Sequence, residues 1–114
     1  MNKQEILNYN KRCAEFLGAK VTDLGGAQKA IYYPILGGSH YAHKLKFHSD
    51  WNWIMEIVEA IEKIKEVRDV CITTTGCVIF HKEKPFSSHG VYKKEAAIQA
   101  INQFLIWYED FNKE

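Results

Sequence analysis

Phe47-His48-Ser49-Asp50-Trp51-Asn52-Trp53-Ile54-Met55-Glu56-Ile57-Val58 is the stretch from which the fold is read. Ser49 or Asp50 offers a side-chain oxygen to the orphan backbone N–H groups of a first helical turn. Beyond it Trp51, Ile54, Val58 and Ile61 recur at helical spacing, and Ile57 and Ile64 widen the stripe. Glu56, Glu59, Glu62, Lys63 and Lys65 take the other face. Glu59 and Lys63 stand in the favourable order for a helix pair, worth roughly a few tenths of a kcal/mol. The pattern predicts an amphipathic helix over about residues 50–66, lying on a core.

Upstream, Asn2 and Glu5 form a capping-box pattern for a helix from Lys3 to Leu17. Its apolar stripe is Ile6, Tyr9, Cys13, Phe16 and Leu17, and Gly18 is a natural stop because glycine takes the left-handed conformation. A loop with Gly25-Gly26 at its tip leads to a strand over Gln28–Ile35. Tyr41–Phe47 alternates, with Tyr41, His43, Leu45 and Phe47 on one face, and Gly37-Gly38 suits the hairpin connection between the two. Downstream, Asp69–Thr74 and Cys77–Lys82 are rich in β-branched residues and read as a second hairpin turning at Thr75-Gly76. Glu83 to Gly90 reads as a polar loop, and Lys93 to Phe111 as a last helix with Ala97, Ile101, Phe104, Tyr108 and Phe111 inward. The two prolines, Pro34 and Pro85, fall at loop or strand-edge positions. The expected fold is α+β, in the order α-β-β-α-β-β-α. An antiparallel sheet of about four strands, from two hairpins, packs against three helices.

A chain of 114 residues is expected to make one domain, 1–114, and 46% hydrophobic with 13% aromatic residues excludes a disordered tail. The balance of 15 basic and 14 acidic residues disfavours nucleic acid as a partner, which calls for a basic excess or stripe. Lys29, Lys44 and Lys46, and Lys82, Lys84, Lys93 and Lys94, read as solvated positions. No apolar run approaches the roughly 18 residues of a membrane span. The polar start Met1-Asn2-Lys3-Gln4-Glu5 does not read as a secretory signal, so a cytoplasmic setting without a membrane is expected. Cys13, Cys71 and Cys77 are an odd count, which fits free, partly buried thiols in a reducing compartment; a Cys71–Cys77 bridge across the hairpin is the alternative.

The segment His48-Ser49-Asp50-Trp51-Asn52-Trp53-Ile54-Met55-Glu56-Ile57-Val58-Glu59 pairs with Glu95-Ala96-Ala97 and Phe104-Leu105-Ile106-Trp107-Tyr108 near the other end, and with Ala14-Glu15-Phe16-Leu17-Gly18 near the start. Together they resemble small uncharacterised proteins of phages and prophages, largely of Bacteroidetes. In these the middle reads S-W-D-W-L-M-P-V-V-E-K-I and the end E-A-V-x-x-A-V-V-E-F-I-K-W-Y-N. Asn52 and Glu56 depart from that pattern, and Tyr92 stands where it has a Ser or Thr cap. The resemblance implies a shared fold and no catalytic residues. Its phage setting implies a bacterial host cell and a role in host takeover or counter-defence.

Chemistry-bearing motifs are sparse. His40, His43 and His48 cluster near the second strand, and His81 and His89 near the second hairpin, but no metal-ligand spacing of the C-x-x-C or H-E-x-x-H kind occurs. Ser87-Ser88-His89-Gly90 reads as a surface loop rather than a nucleophile with its base, and Gly37-Gly38-Ser39-His40 as a turn rather than an anion cradle. What stands out is aromatic density: Tyr32, Tyr33, Tyr41, Phe47, Trp51 and Trp53. Residues two apart on a helix diverge by about 200°, so one side of the helix does not hide both Trp51 and Trp53. Tyr33, Tyr41, His43, Lys44, Trp51 and Trp53 are therefore the expected ligand or partner site, with no catalytic residue, metal or cofactor assigned. The leading expectation is a small non-enzymatic binding protein acting on a host protein or a small ligand, with homo-oligomerisation left open. In one form of it, a pocket of Tyr33, Tyr41, Lys44 and Trp53 sequesters a nucleotide signal. The alternative is a small metal-dependent or nucleotide-processing enzyme using His43, His81 and cysteines.

Overall fold

The computed structural model describes residues 1–22, 31–35 and 38–112, and the backbone alone at 31 and 33–35. These residues group into two compact units, Met1–Trp53 and Ile54–Glu114.

The first unit opens with α1, Lys3–Phe16. Asn2 Oδ1 accepts the Glu5 N–H at 2.8 Å, and Glu5 closes the capping box on the Asn2 N–H. At the other end Gly18 takes φ 84, so its N–H reaches the Glu15 carbonyl while the Ala19 N–H reaches that of Ala14. This Schellman arrangement satisfies carbonyls that the helix leaves open, and turns the chain sharply. A three-stranded antiparallel sheet follows, in the order β1-β2-β3: Lys20–Thr22, Ile31–Ile35 and Gly38–Tyr41. The register of β2 on β3 shifts between Tyr32 and Ile35, across Pro34. Proline has no N–H for the ladder, and β1 pairs with β2 only as far as Tyr33, so no ladder bond is lost to it on that side. The chain then makes a 3-10 turn, Ala42–Lys44, packed against α1. The core here includes Tyr9, Cys13, Ala14, Tyr32, Ala42, Leu45, Phe47 and Trp53.

Helix α2, Trp51–Glu62, begins in the first unit and continues in the second. Asp50 is its cap: the carboxylate accepts the Asn52 N–H at 2.8 Å. Ile54, Ile57, Val58 and Ile61 are buried, as the periodicity predicts. The helix ends at Glu62, four residues short of the expected limit.

In the second unit β4 (Val67–Ile72), β5 (Gly76–His81) and β6 (Pro85–His89) form an antiparallel sheet with β5 at its centre. Helix α3, Lys93–Asn112, lies across it. Cys77, Ile79, His81, Phe86 and Ser88 are buried, and meet Ala97, Ala100, Ile101, Phe104 and Leu105 of α3 in one core. Phe104 sets edge-to-face on Phe86 at 5.4 Å. Twenty residues of α3 extend about 30 Å. The six of β5 reach only about 20 Å. The last turns of α3 still reach His81 at the end of β5, with Trp107 and Tyr108 half-buried and Phe111 exposed. No helix among the described residues is long and apolar enough to cross a membrane.

The α+β class stands, but the single sheet of about four strands does not: among the described residues there are two three-stranded sheets. Each gains a strand that reads as loop. Lys20–Thr22 is exposed along its length and too short to show alternation. Pro85–His89 looks polar, yet Phe86 and Ser88 point inward and Pro85, Ser87 and His89 outward. Its proline opens an edge strand, where a missing N–H costs least. The expected strand Tyr41–Phe47 is instead the end of β3 followed by the 3-10 turn, because local i to i+3 bonding (Leu45 N–H to the Ala42 carbonyl, 3.4 Å) replaces a ladder. Leu45 and Phe47 are still buried, but His43 is exposed. Part of the expected strand Gln28–Ile35, the Gly25-Gly26 tip, Lys29 and Gly37 lie outside the described residues. A Cys71–Cys77 bridge is ruled out by register: Cys71 pairs with Val78 and Cys77 with Ile72, so the two side chains leave opposite faces of the sheet. Cys77 is buried, while Cys71 is exposed rather than partly buried.

Candidate functional site

In the first unit a half-open cavity of about 330 Å³ lies against α1. Lys3, Gln4, Ile6, Leu7 and Asn10 line it from the helix. Positions three and four apart share a helix face, so α1 presents a continuous wall. Ala42 and His43 of the 3-10 turn and His48, just before α2, complete the lining.

Asn10 organises this site. It is 2% exposed, and its Nδ2 donates to the Leu45 carbonyl at 3.2 Å and lies 2.9 Å from His48 Nδ1. A carbonyl only accepts, which fixes the amide nitrogen on that side. An amide nitrogen only donates, so His48 Nδ1 is the acceptor and the neutral ring carries its proton on Nε2. Burial lowers the His48 pKa from its ordinary value, in keeping with a neutral ring. Nε2 has no hydrogen-bond partner among the described residues. Asn10 Oδ1 is likewise buried without one. The cavity thus joins an apolar wall (Ile6, Leu7, Ala42) to polar groups held in place by packing, the composition of small-molecule sites.

The structure divides the six expected site residues. His43 lines the cavity, and its ring stacks on Tyr41 at 5.8 Å; Tyr41 is 47% exposed. Lys44 is exposed in the same turn. Trp53 is buried: it meets His40 at 4.8 Å and Phe47 at 4.9 Å, both edge-to-face. Trp51 is half-buried, as expected for one of the pair. Successive strand residues leave opposite faces, so Tyr41 points away from the face on which His40 meets Trp53, and the two are not brought into one pocket. The Tyr33 side chain lies outside the described residues.

The groups invoked for an enzyme are spread over the chain. His43 belongs to the first unit; His81, Cys71 and Cys77 belong to the second. His81 Nδ1 accepts the Glu83 N–H at 3.0 Å, while its buried Nε2 has no hydrogen-bond partner among the described residues, and the ring sets edge-on against Trp107 at 4.8 Å. Phe104, Tyr108 and Phe111 also flank it, an aromatic packing environment. Burial, with the Cys71 charge second, pushes the Cys77 thiol up to about 11. Burial drives Cys13 higher still, against the lowering influence of its Tyr9 hydrogen bond and Arg12. No group of three His, Cys, Asp or Glu residues among the described residues is arranged to hold a metal. Ser88, in the stretch read as a loop, is a buried tether: its hydroxyl donates to the Ala96 carbonyl and ties β6 to the first turns of α3.

Sequence reasoning missed Asn10 and His48 as a pair. A signal was there: Asn10 sits within the stripe of Ile6, Tyr9 and Cys13, and a polar residue on an apolar face needs a partner. No known protein family, curated protein or solved structure matches this chain.

Proposed function

We propose that this chain is a small non-enzymatic binding protein that holds a small ligand in the cavity against α1. The carrying observation is the cavity of about 330 Å³, with its apolar wall and its internally oriented Asn10–His48 pair. The volume lies at the small end of the range of small-molecule sites, roughly 300–1,000 Å³. Burial of an amide beside an imidazole costs desolvation, and that cost is offset when the polar groups orient a guest. The resemblance to phage and prophage proteins supports a setting of host takeover or counter-defence, where holding a host small molecule removes it from use.

The test uses purified protein incubated with bacterial metabolite extract, passed through a desalting column and denatured. The supernatant is read by mass spectrometry beside a Leu7→Trp variant, which fills the cavity from the helix side. A compound retained by the wild type and lost by the variant supports the proposal. Equal retention by both, or none by either, refutes it. Conversion of the retained compound on further incubation refutes the non-enzymatic part.

A further inference from the structure

The cavity's lining contains no Asp or Glu, whereas it includes Lys3. His48, with Nδ1 accepting from Asn10, has only a donor left at Nε2. Asn10 has no donor to spare, since its Nδ2 serves the Leu45 carbonyl and His48. The peptide dipoles of α1 add partial positive charge at the end where Lys3 and Gln4 stand. Lys3, the His48 Nε2–H and the helix end favour negative charge, the unpartnered Asn10 Oδ1 takes only a donor, and a cationic guest meets no counter-charge among the lining residues. Facing them, Ile6, Leu7 and Ala42 favour hydrocarbon.

Resting on the ligand-binding reading above, we infer that the cavity takes a small carboxylate with a hydrocarbon tail. The carboxylate sits toward Lys3 and the His48 Nε2–H, and the tail runs along Ile6, Leu7 and Ala42. Size sets the scale: at ~30 Å³ per water-sized group, a volume of about 330 Å³ holds roughly ten non-hydrogen atoms, which is octanoate.

The test is an NMR titration of the intact protein with octanoate, 1-octanol and octylammonium at about pH 7.5. Octanoate is expected to shift the amide signals of Ile6, Leu7 and Ala42 saturably, and to bind at least about threefold more tightly than the alcohol or the amine. Lys3→Gln, at an exposed position, is expected to weaken octanoate by about two- to fivefold and leave 1-octanol unchanged. Added salt acts on octanoate in the same direction. If the alcohol or the amine binds these residues as tightly as octanoate, or Lys3→Gln leaves octanoate unaffected, the carboxylate assignment falls while the cavity remains a ligand site. If none of the three gives saturable shifts there, the carboxylate assignment falls, and retention from metabolite extract by wild type against Leu7→Trp decides the ligand reading separately.

Discussion

Replacing Asn10 with Asp is expected to invert the response of this fold to acid. In the native chain Asn10 Nδ2 donates to the Leu45 carbonyl at 3.2 Å and to His48 Nδ1 at 2.9 Å, and burial lowers the His48 pKa. The unfolded chain takes up a proton on this histidine near its ordinary value of about 6.5, while the folded chain resists until lower pH. The unfolded state therefore binds more protons in that window. This contribution to stability is complete above about pH 6.5, shrinks as pH falls through that value, and is fully lost below the folded pKa. In Asn10→Asp an oxygen replaces the nitrogen. An oxygen beside Nδ1 favours the imidazolium, so the folded pKa rises above the unfolded one. The new contribution is complete below about pH 6.5 and is lost as pH rises through the raised value.

The magnitudes follow from the contacts. The Leu45 carbonyl loses its donor at every pH, a penalty of roughly 1–3 kcal/mol. The neutral Asn10–His48 bond, worth about 1 kcal/mol, is replaced under acid by a charge-assisted one of about 1.5–3 kcal/mol, discounted because His48 is only half-buried. The deficit of Asn10→Asp relative to wild type should thus narrow by about 1–2 kcal/mol between about pH 8 and about pH 5.5. Urea unfolding followed by tryptophan fluorescence measures this. His48→Asn serves as the control: it keeps an acceptor and removes the titration, and it should flatten the slope of the wild type and of Asn10→Asp alike. If Asn10→Asp loses stability on acidification as steeply as the wild type, the Asn10–His48 contact does not exist in solution.

Gly18→Ala should destabilise the protein by about 1–2 kcal/mol. A Cβ there would meet nothing within 4 Å at φ 84, so the loss in urea midpoint reports backbone strain alone. Phe104→Ala removes a ring that is 0% exposed and is packed on Phe86 and Tyr108. It should lower the unfolding free energy by roughly 3–5 kcal/mol in the same assay. A chromogenic disulfide reagent should find one fast thiol in the native chain, Cys71, and three after denaturation, because Cys13 and Cys77 are buried. The Asp69 hydrogen bond and charge raise the Cys71 pKa, so Asp69→Asn should speed that reaction and Cys71→Ser should abolish it.

Local chemistry was legible in the sequence wherever one residue settles a conformation. Asn2 with Glu5 and Asp50 before Trp51 fix two helix starts, and Gly18 fixes a stop, because each satisfies backbone groups within a single turn. The hairpin of β4 and β5 was legible for a similar reason, although Thr73 adds a bond that the residue types did not suggest: its Oγ1 accepts the Gly76 N–H at 3.1 Å. β6 escaped because its inward polar residue, Ser88, is acceptable only once the Ala96 carbonyl stands opposite it. The 3-10 turn escaped because alternation of buried and exposed residues does not by itself distinguish a paired strand from a bent segment.

The sequence by itself determined the three amphipathic helices, the α+β class and the presence of antiparallel hairpins, since these rest on periodicity and on caps that act over a few residues. Only the tertiary structure decided that Trp53 is buried while Trp51 is half-buried, and that Cys71 and Cys77 leave opposite faces. It also decided that Asn10 meets His48, 38 positions away, beside a cavity. Such pairings depend on distant segments burying their apolar faces together, and a buried amide or imidazole acquires its role from the neighbour that burial brings to it.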